Sequence, residues 1–170
     1  MKCFLPFIFI FQISIFAQEK LDIFDVARKG TVNQIEALYK ETPETINSPN
    51  QSGFSPLILA CYSGNENVAT YLIENSNVDY VSSEGTALMA AVVKGNARLV
   101  KLLLEKKANP NLTNKQGVTA LIFAVQFKNA EIIRLLLEHK ASKSQIDNDG
   151  KTAFEYAVFA GDETIINLLK

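Results

Sequence analysis

Apolar, small and polar residues recur along this chain with a period of about 33 residues, from Leu21 to Lys170. Each full repeat opens at a hydroxyl residue, and these openings are 31, 33 and 33 residues apart: Ser55, Thr86, Thr119 and Thr152. Nine residues later stands a glycine or a lysine: Gly64, Gly95, Lys128 and Gly161. Self-similarity at this period predicts a stack of supersecondary units, none of which can bury its apolar face alone.

The hydroxyl residue that opens each repeat predicts the N-cap of a first helix, because its oxygen can accept a hydrogen bond from an unpaired backbone N–H. An apolar stripe begins two residues later. Three residues further on, every repeat carries alanine: Ala60, Ala91, Ala124 and Ala157. A small side chain at one helical position lets neighbouring helices approach closely. We therefore expect the first helix of each unit to be the tightly packed inner one.

A second helix is predicted after the glycine or lysine, because an N-cap former follows there each time: Asn65, Asn96, Asn129 and Asp162. Leucine, isoleucine and valine then recur at helical spacing, and glycine-containing turns separate the units. Leu21–Tyr39 aligns as a further helix pair. The pattern predicts an all-α solenoid of five helix pairs without a sheet, with units at about 21–49, 50–80, 81–112, 113–146 and 147–170.

Several segments resemble the ankyrin repeat: Thr86–Ala91, Lys94–Asn96, Leu102–Asn111, Gly117–Leu121 and Gly150–Phe154. The resemblance extends over all five units and implies an ankyrin-repeat solenoid. The chain departs from the family pattern where Lys107 and Lys140 replace the glycine that usually ends the second helix. A left-handed backbone at these lysines would cost on the order of 1 kcal/mol each.

The first 17 residues differ from the repeats and are predicted to form a secretory signal peptide. Lys2 gives a basic start, Phe4–Phe16 is a largely apolar run, and Ala17 is a small residue at its exit. The run is shorter than the roughly 20 residues of a membrane-spanning helix. Cleavage after Ala17 would leave residues 18–170 as the repeat domain, and retention as an N-terminal anchor is the alternative.

The phenylalanine-rich leader resembles those of proteins exported by Gram-negative bacteria. Together with the repeats, it implies a small exported bacterial ankyrin-repeat protein. We therefore expect a periplasmic or secreted protein that has no membrane attachment once the signal is cleaved.

Residue types that support catalysis or metal binding are sparse. The formal net charge is −1 without a block of like charges, which disfavours nucleic acid as a partner. Cys61 stands in a small apolar position and is expected to be buried, and His139 is expected to be exposed at a helix end. The turn 147–150 resembles a calcium loop but lacks the required glutamate. We expect a monomeric, non-catalytic protein without cofactor or metal; an enzyme with an unrecognised site is the alternative.

The sequence instead indicates a protein-binding surface. In ankyrin repeats, partners usually contact the turn tips and the exposed side of the inner helix. The matching positions give these candidate protein-binding residues: Arg28, Phe54, Tyr62, Lys94, Val118, Phe127 and Phe159. Aromatic side chains bordered by charge are typical of an interface centre. The alternative is that the aromatic residues pack sideways between adjacent turns.

The resemblance thus implies a protein that binds a partner protein through its concave face. Small exported bacterial ankyrin proteins suggest two roles within this class. One is an inhibitor or immunity protein that blocks a toxin or an envelope enzyme. The other is an adaptor that supports a periplasmic enzyme such as a catalase.

Overall fold

A computed structural model describes residues 21–170, so the predicted signal peptide lies outside the described residues. Within this range the chain forms ten α-helices, one 3-10 helix (Pro43–Asn47) and no strand. The α-helices are α1 (Ile23–Lys29), α2 (Val32–Glu41), α3 (Pro56–Ser63), α4 (Glu66–Asn75), α5 (Ala87–Val93), α6 (Ala97–Glu105), α7 (Ala120–Gln126), α8 (Ala130–Glu138), α9 (Ala153–Phe159) and α10 (Glu163–Leu169). The predicted all-α stack of five helix pairs is confirmed. No helix between residues 21 and 170 has the length and apolar character needed to cross a membrane.

The odd-numbered helices form the inner row, in which each helix packs against the next odd-numbered one. The even-numbered helices form an outer row, and each also packs against the inner helix of its own pair. One alanine of each inner helix is fully buried at 0% exposure: Ala27, Ala60, Ala91, Ala124 and Ala157. The close packing predicted for the first helix of each unit is therefore confirmed.

Side-chain caps begin nearly every helix as predicted. The hydroxyls of Ser55, Thr86, Thr119 and Thr152 accept from the backbone N–H three residues later, at 3.2–3.3 Å. Asn96, Asn129 and Asp162 cap outer helices in the same way, at 3.0–3.1 Å.

Asn65 is the exception, and the cap predicted for its side chain is wrong. Its Nδ2 instead donates to the carbonyl oxygens of Gly30 at 2.9 Å and Ala27 at 3.3 Å. The residue stands at the N-cap position of α4, but its amide bonds to the backbone of the preceding unit.

The 3-10 helix after α2 is an element that the repeat pattern does not predict. Its Ile46 is only 1% exposed and belongs to the apolar core. Thr45 Oγ1 donates to the carbonyl oxygen of Thr42 at 2.7 Å and closes the turn. The first connection therefore adds a buried side chain to the stack instead of only linking two units.

Amide and carboxylate side chains also join successive units, between the connection that follows one outer helix and the connection that follows the next. The backbone N–H groups of Asn77, Asn109 and Ser142 donate to Oδ1 of Asn47, Asp79 and Asn111, at 2.7, 2.8 and 2.7 Å respectively. Because each bond spans about one repeat, this ladder fixes the spacing of the units independently of the apolar core.

Three lysines have left-handed backbone: Lys107 with φ 63°, Lys128 with φ 54° and Lys140 with φ 65°. Lys107 and Lys140 thus have the left-handed geometry that favours glycine at the end of the second helix. Lys128 occupies the position where other units carry glycine, as at Gly95 with φ 68°. An L-residue in this region is destabilised by roughly 1–2 kcal/mol because its Cβ crowds the backbone.

Replacing Lys128 by glycine should therefore stabilise the protein. Glycine removes the Cβ crowding but loses more backbone entropy on folding, so we expect Lys128→Gly to raise the free energy of unfolding by about 0.5–1 kcal/mol. Urea denaturation followed by circular dichroism would measure this. Lys128→Ala is the matched control, since it removes the charged side chain but keeps Cβ, and it should bring no such gain.

A larger residue in the alanine column should have the opposite effect. Ala91 is fully buried in α5, between α3 and α7. We expect Ala91→Leu to lower the free energy of unfolding by about 1–3 kcal/mol, because the added carbons must displace packed neighbours. Ala37→Leu, at an exposed position of α2, is the control. Equal stability of the two variants would show that the inner helices are not in close contact.

Candidate functional site

An open groove runs along the exposed side of the inner helices at α3, α5 and α7. Its volume is about 590 Å³, and the loops before α3 and α5 form one wall. The lining is mainly apolar and includes Phe54, Ile58, Tyr62, Met89, Phe123 and Phe127. Because these side chains come from three successive units, the groove exists only in the assembled stack.

Four of the predicted binding residues line this groove: Arg28, Phe54, Tyr62 and Phe127. Tyr62 is 57% exposed and Phe127 is 55% exposed, although both are large and largely apolar. Phe54 is half-buried and packs against the core, so it contributes one side of its ring to the groove. Tyr62 and Phe127 are thus the aromatic groups that a partner could reach most directly.

Lys94 borders the groove and contacts one of its aromatic rings. Its Nζ lies 5.1 Å from the centroid of the Tyr62 ring, within the range of a cation–π interaction. Lys94 caps α5 and Tyr62 lies in α3, so this contact joins two successive units. Arg28, which lines the groove from α1, pairs with Asp25 at 3.2 Å.

The structure does not bring the two remaining candidates into the groove. Val118 is only 9% exposed, and its N–H donates to Oδ1 of Asn114 at 2.9 Å. The expectation that Val118 is an exposed tip residue is therefore wrong, because the turn directs this side chain into the core. Phe159 is 92% exposed in α9 but lies outside the groove lining.

Part of the groove floor comes from residues that were not among the candidates. Ile58 and Met89 both stand three residues after the N-cap of their inner helix, and Phe123 stands four residues after its own. The apolar side chains at this position of α3 and α5 are the signal from which the apolar floor could have been inferred.

The carboxylate of Asp147, in the turn 147–150, is hydrogen-bonded within the protein. Asp147 Oδ1 accepts from the backbone N–H groups of Asp149 and Lys151, each at 3.0 Å, and Oδ2 accepts from the Tyr156 hydroxyl at 2.5 Å. Burial opposes ionisation of Asp147, but these hydrogen bonds outweigh it and hold its pKa below the usual value. The same carboxylate raises the pKa of Tyr156 to about 12. The segment is an ordinary repeat turn, and no cluster of potential metal ligands occurs between residues 21 and 170.

His139 lies at the C-cap of α8, the helix end that the sequence predicts. Its ring is half-buried instead of exposed, and Nδ1 lies 2.9 Å from the carbonyl oxygen of Leu135. The imidazole is therefore engaged with its own helix.

Cys61 is buried in α3 at 0% exposure, as expected for a small apolar position of the repeat. Burial disfavours the thiolate and raises the pKa of Cys61 to about 12. Since the thiolate is the reactive form of cysteine, this thiol is inert in the folded protein.

A thiol-labelling experiment tests this burial. In a Cys3→Ser variant, Cys61 is the single remaining thiol. We expect a disulfide reagent at pH 8 to label it at least about a hundredfold more slowly in the native protein than in urea, because folding suppresses both access and ionisation. Rapid native labelling would show that α3 does not pack as described.

Comparison with known proteins identifies the family. The family model described as ankyrin repeats (3 copies) matches residues 23–114 and 88–170. The chain therefore belongs to the ankyrin repeat family, whose repeats generally mediate protein–protein interaction.

Curated relatives share the repeats but are much longer proteins. The chain is 34% identical over 101 residues to ankyrin repeat and SAM domain-containing protein 6 of Mus musculus, a match that covers 58% of this chain and 11% of that protein. It is 32% identical over 102 residues to the Rattus norvegicus protein of the same name, with coverage of 58% and 11%. It is 27% identical over 115 residues to protein fem-1 homolog CG6966 of Drosophila melanogaster, with coverage of 59% and 17%. The matched region thus spans less than a fifth of each relative.

Proposed function

We propose that this protein is an exported, non-catalytic, monomeric binding protein that holds a partner protein in the groove of its concave face. Membership of the ankyrin repeat family supports the general class. The observation that carries the proposal is the exposure of Tyr62 and Phe127, which come from different units and line the same groove. Aromatic side chains in this setting are the usual anchors of a protein interface.

The extent of the groove suits a protein partner. A standard interface buries about 800 Å² on each partner. On a row of short helices, such an area requires side chains from several units at once. The groove combines residues of α3, α5 and α7 with Arg28 of α1 and the loops before α3 and α5, so a partner seated there would contact several units at once.

The outer helices offer a contrasting surface. Their charged groups pair with one another: Arg98 with Glu66 at 2.7 Å, Lys101 with Glu105 at 3.9 Å, and Lys106 with Glu74. Exposed ion pairs of this kind are well solvated and contribute little to affinity. The outer face therefore lacks the apolar anchors that the groove provides.

Export is the second part of the proposal, and it rests on the N-terminal sequence. Lys2, the run Phe4–Phe16 and Ala17 have the order of a signal peptide. Mass spectrometry of protein recovered from the periplasm should find a chain that begins at Gln18. A full-length chain in the cytosol would contradict export, and full-length protein in the inner membrane would favour the anchor.

Within this function, two roles remain as proposals: an inhibitor or immunity protein, and an adaptor for an envelope enzyme such as a catalase. They differ in what binding does to the partner. An inhibitor lowers the activity of its bound partner, whereas an adaptor maintains or raises it. Assaying the purified partner with and without this protein distinguishes the two roles.

Photo-crosslinking in cells tests the groove directly. With p-benzoylphenylalanine replacing Tyr62, irradiation should give one discrete adduct with a partner protein, because the probe lies on the exposed wall of the groove. The same probe at Lys101, on the outer face, is the control and should give no such adduct.

The partner identified in this way allows a quantitative test. We expect Tyr62→Ala with Phe127→Ala to weaken binding at least about a hundredfold, since each aromatic anchor can be worth about 2 kcal/mol. Lys101→Ala with Glu138→Ala is the matched double variant, and it should bind normally. Loss of binding in the outer-face variant, with normal binding in the aromatic variant, would refute the concave-face assignment.

A further inference from the structure

The charged residues at the C-terminal ends of the inner helices are all basic. Arg28 and Lys29 end α1, Lys94 caps α5, and Lys128 directly follows the C-cap Phe127 of α7. The equivalent positions after α3 and α9 are uncharged. One border of the concave face therefore carries basic residues at the ends of α1, α5 and α7.

The outer helices carry charge of both signs. Within the bounds of α2, α4, α6, α8 and α10 there are eight acidic and four basic residues, and four further lysines stand directly at their C-terminal ends: Lys106, Lys107, Lys140 and Lys170. The chain as a whole has a formal net charge of −1. The basic ends of the inner helices thus do not reflect a generally basic protein.

Two of these lysines stand beside the exposed aromatic residues of the groove. Lys94 Nζ lies over the Tyr62 ring, and Lys128 is adjacent to Phe127 in the chain. The ion pairs found between residues 21 and 170 include neither lysine. Tyr62 has an ammonium group over its ring and Phe127 has one on the next residue, and neither ammonium group has a carboxylate partner within the described part of the chain.

We infer that the partner presents an acidic segment, with at least one apolar side chain that inserts between Tyr62 and Phe127 and carboxylates that meet Lys94 and Lys128. This inference rests on the proposed function and specifies the chemistry of its partner. Complementary charge around an apolar anchor selects the partner and sets its orientation. Glu84, the acidic residue that lines the groove, lies in the loop before α5. The acidic side of the partner is therefore directed toward the helix ends and away from this loop.

A selection from random peptides tests the inference without knowledge of the partner. The probe is a library of 12-residue peptides displayed on phage and panned against the immobilised protein at low salt, followed by synthesis of the enriched peptides. We expect enriched sequences to combine several Asp or Glu residues with Phe, Leu, Ile or Tyr. Their affinity should fall steeply as salt is raised, because exposed charges are screened.

Charge-reversal variants supply the matched comparison. Lys94→Glu with Lys128→Glu should weaken binding of the acidic peptides by at least about tenfold, because attraction becomes repulsion at both anchors. Lys101→Glu with Lys143→Glu makes the same change in net charge at exposed positions away from the groove, and it should bind normally. Thermal unfolding of both double variants controls for stability.

The outcomes separate this inference from the function on which it rests. The enriched peptides could require Tyr62 and Phe127 for binding and yet carry a neutral or positive charge. That result overturns the inference of an acidic partner but retains the groove as the binding site. Absence of enrichment, or enrichment that does not depend on the aromatic residues, overturns both the acidic partner and the groove as the binding site.

Aromatic rings with nearby lysines also suit single-stranded nucleic acid. Tighter binding of a single-stranded oligonucleotide than of the acidic peptides would therefore overturn the inference as well.

Discussion

The close contact between inner helices is the constraint on which the rest of this structure depends. No helix pair can bury its apolar face alone, so each must lie against the next. Alanine at one position of every inner helix makes this possible, and all five of these alanines are fully buried. The outer helices fill the same core with bulkier residues such as Leu99 and Ile132. Inner helices contribute large buried side chains as well, such as Leu88 and Leu121, so both rows fill one continuous core.

This arrangement separates the residues that hold the stack together from those that can bind. Ala60 and Cys61 in α3 are fully buried, whereas Tyr62, the next residue, is more than half exposed. The packing of the core therefore leaves the outward positions free to vary. Large aromatic residues at those positions, in a groove between three units, are better explained by a binding function than by stability.

The sequence predicts those features that depend on local periodicity. The hydroxyl caps and the alanine column are each a property of one position in the repeat, so one unit is informative about the next. The predictions fail where tertiary contacts determine the position of a side chain. Asparagine is a common N-cap residue, but the side-chain amide of Asn65 donates a hydrogen bond to the backbone of the preceding unit. Ile46 enters the core from a segment outside the repeat pattern, and Val118 turns inward although its neighbours in the turn are polar.

The candidate site illustrates the same limit. Repeat position alone was enough to place Phe54, Tyr62 and Phe127 on one side of the stack. It could not show that Phe159 lies apart from them, or that Lys94 sits over the Tyr62 ring, because both depend on side-chain direction across units. Repeat position also assigned Arg28 and Lys94 to this side, whereas Lys128 joins them only once the end of α7 is located.

Hydrogen–deuterium exchange of the protein, alone and bound to its purified partner, tests the central claim most directly. If the groove is the binding site, exchange should slow in the segments that contain Phe54, Tyr62, Lys94 and Phe127, while α6 and α8 remain unchanged. Protection confined to α6 and α8, with unchanged exchange along the groove, would contradict the account.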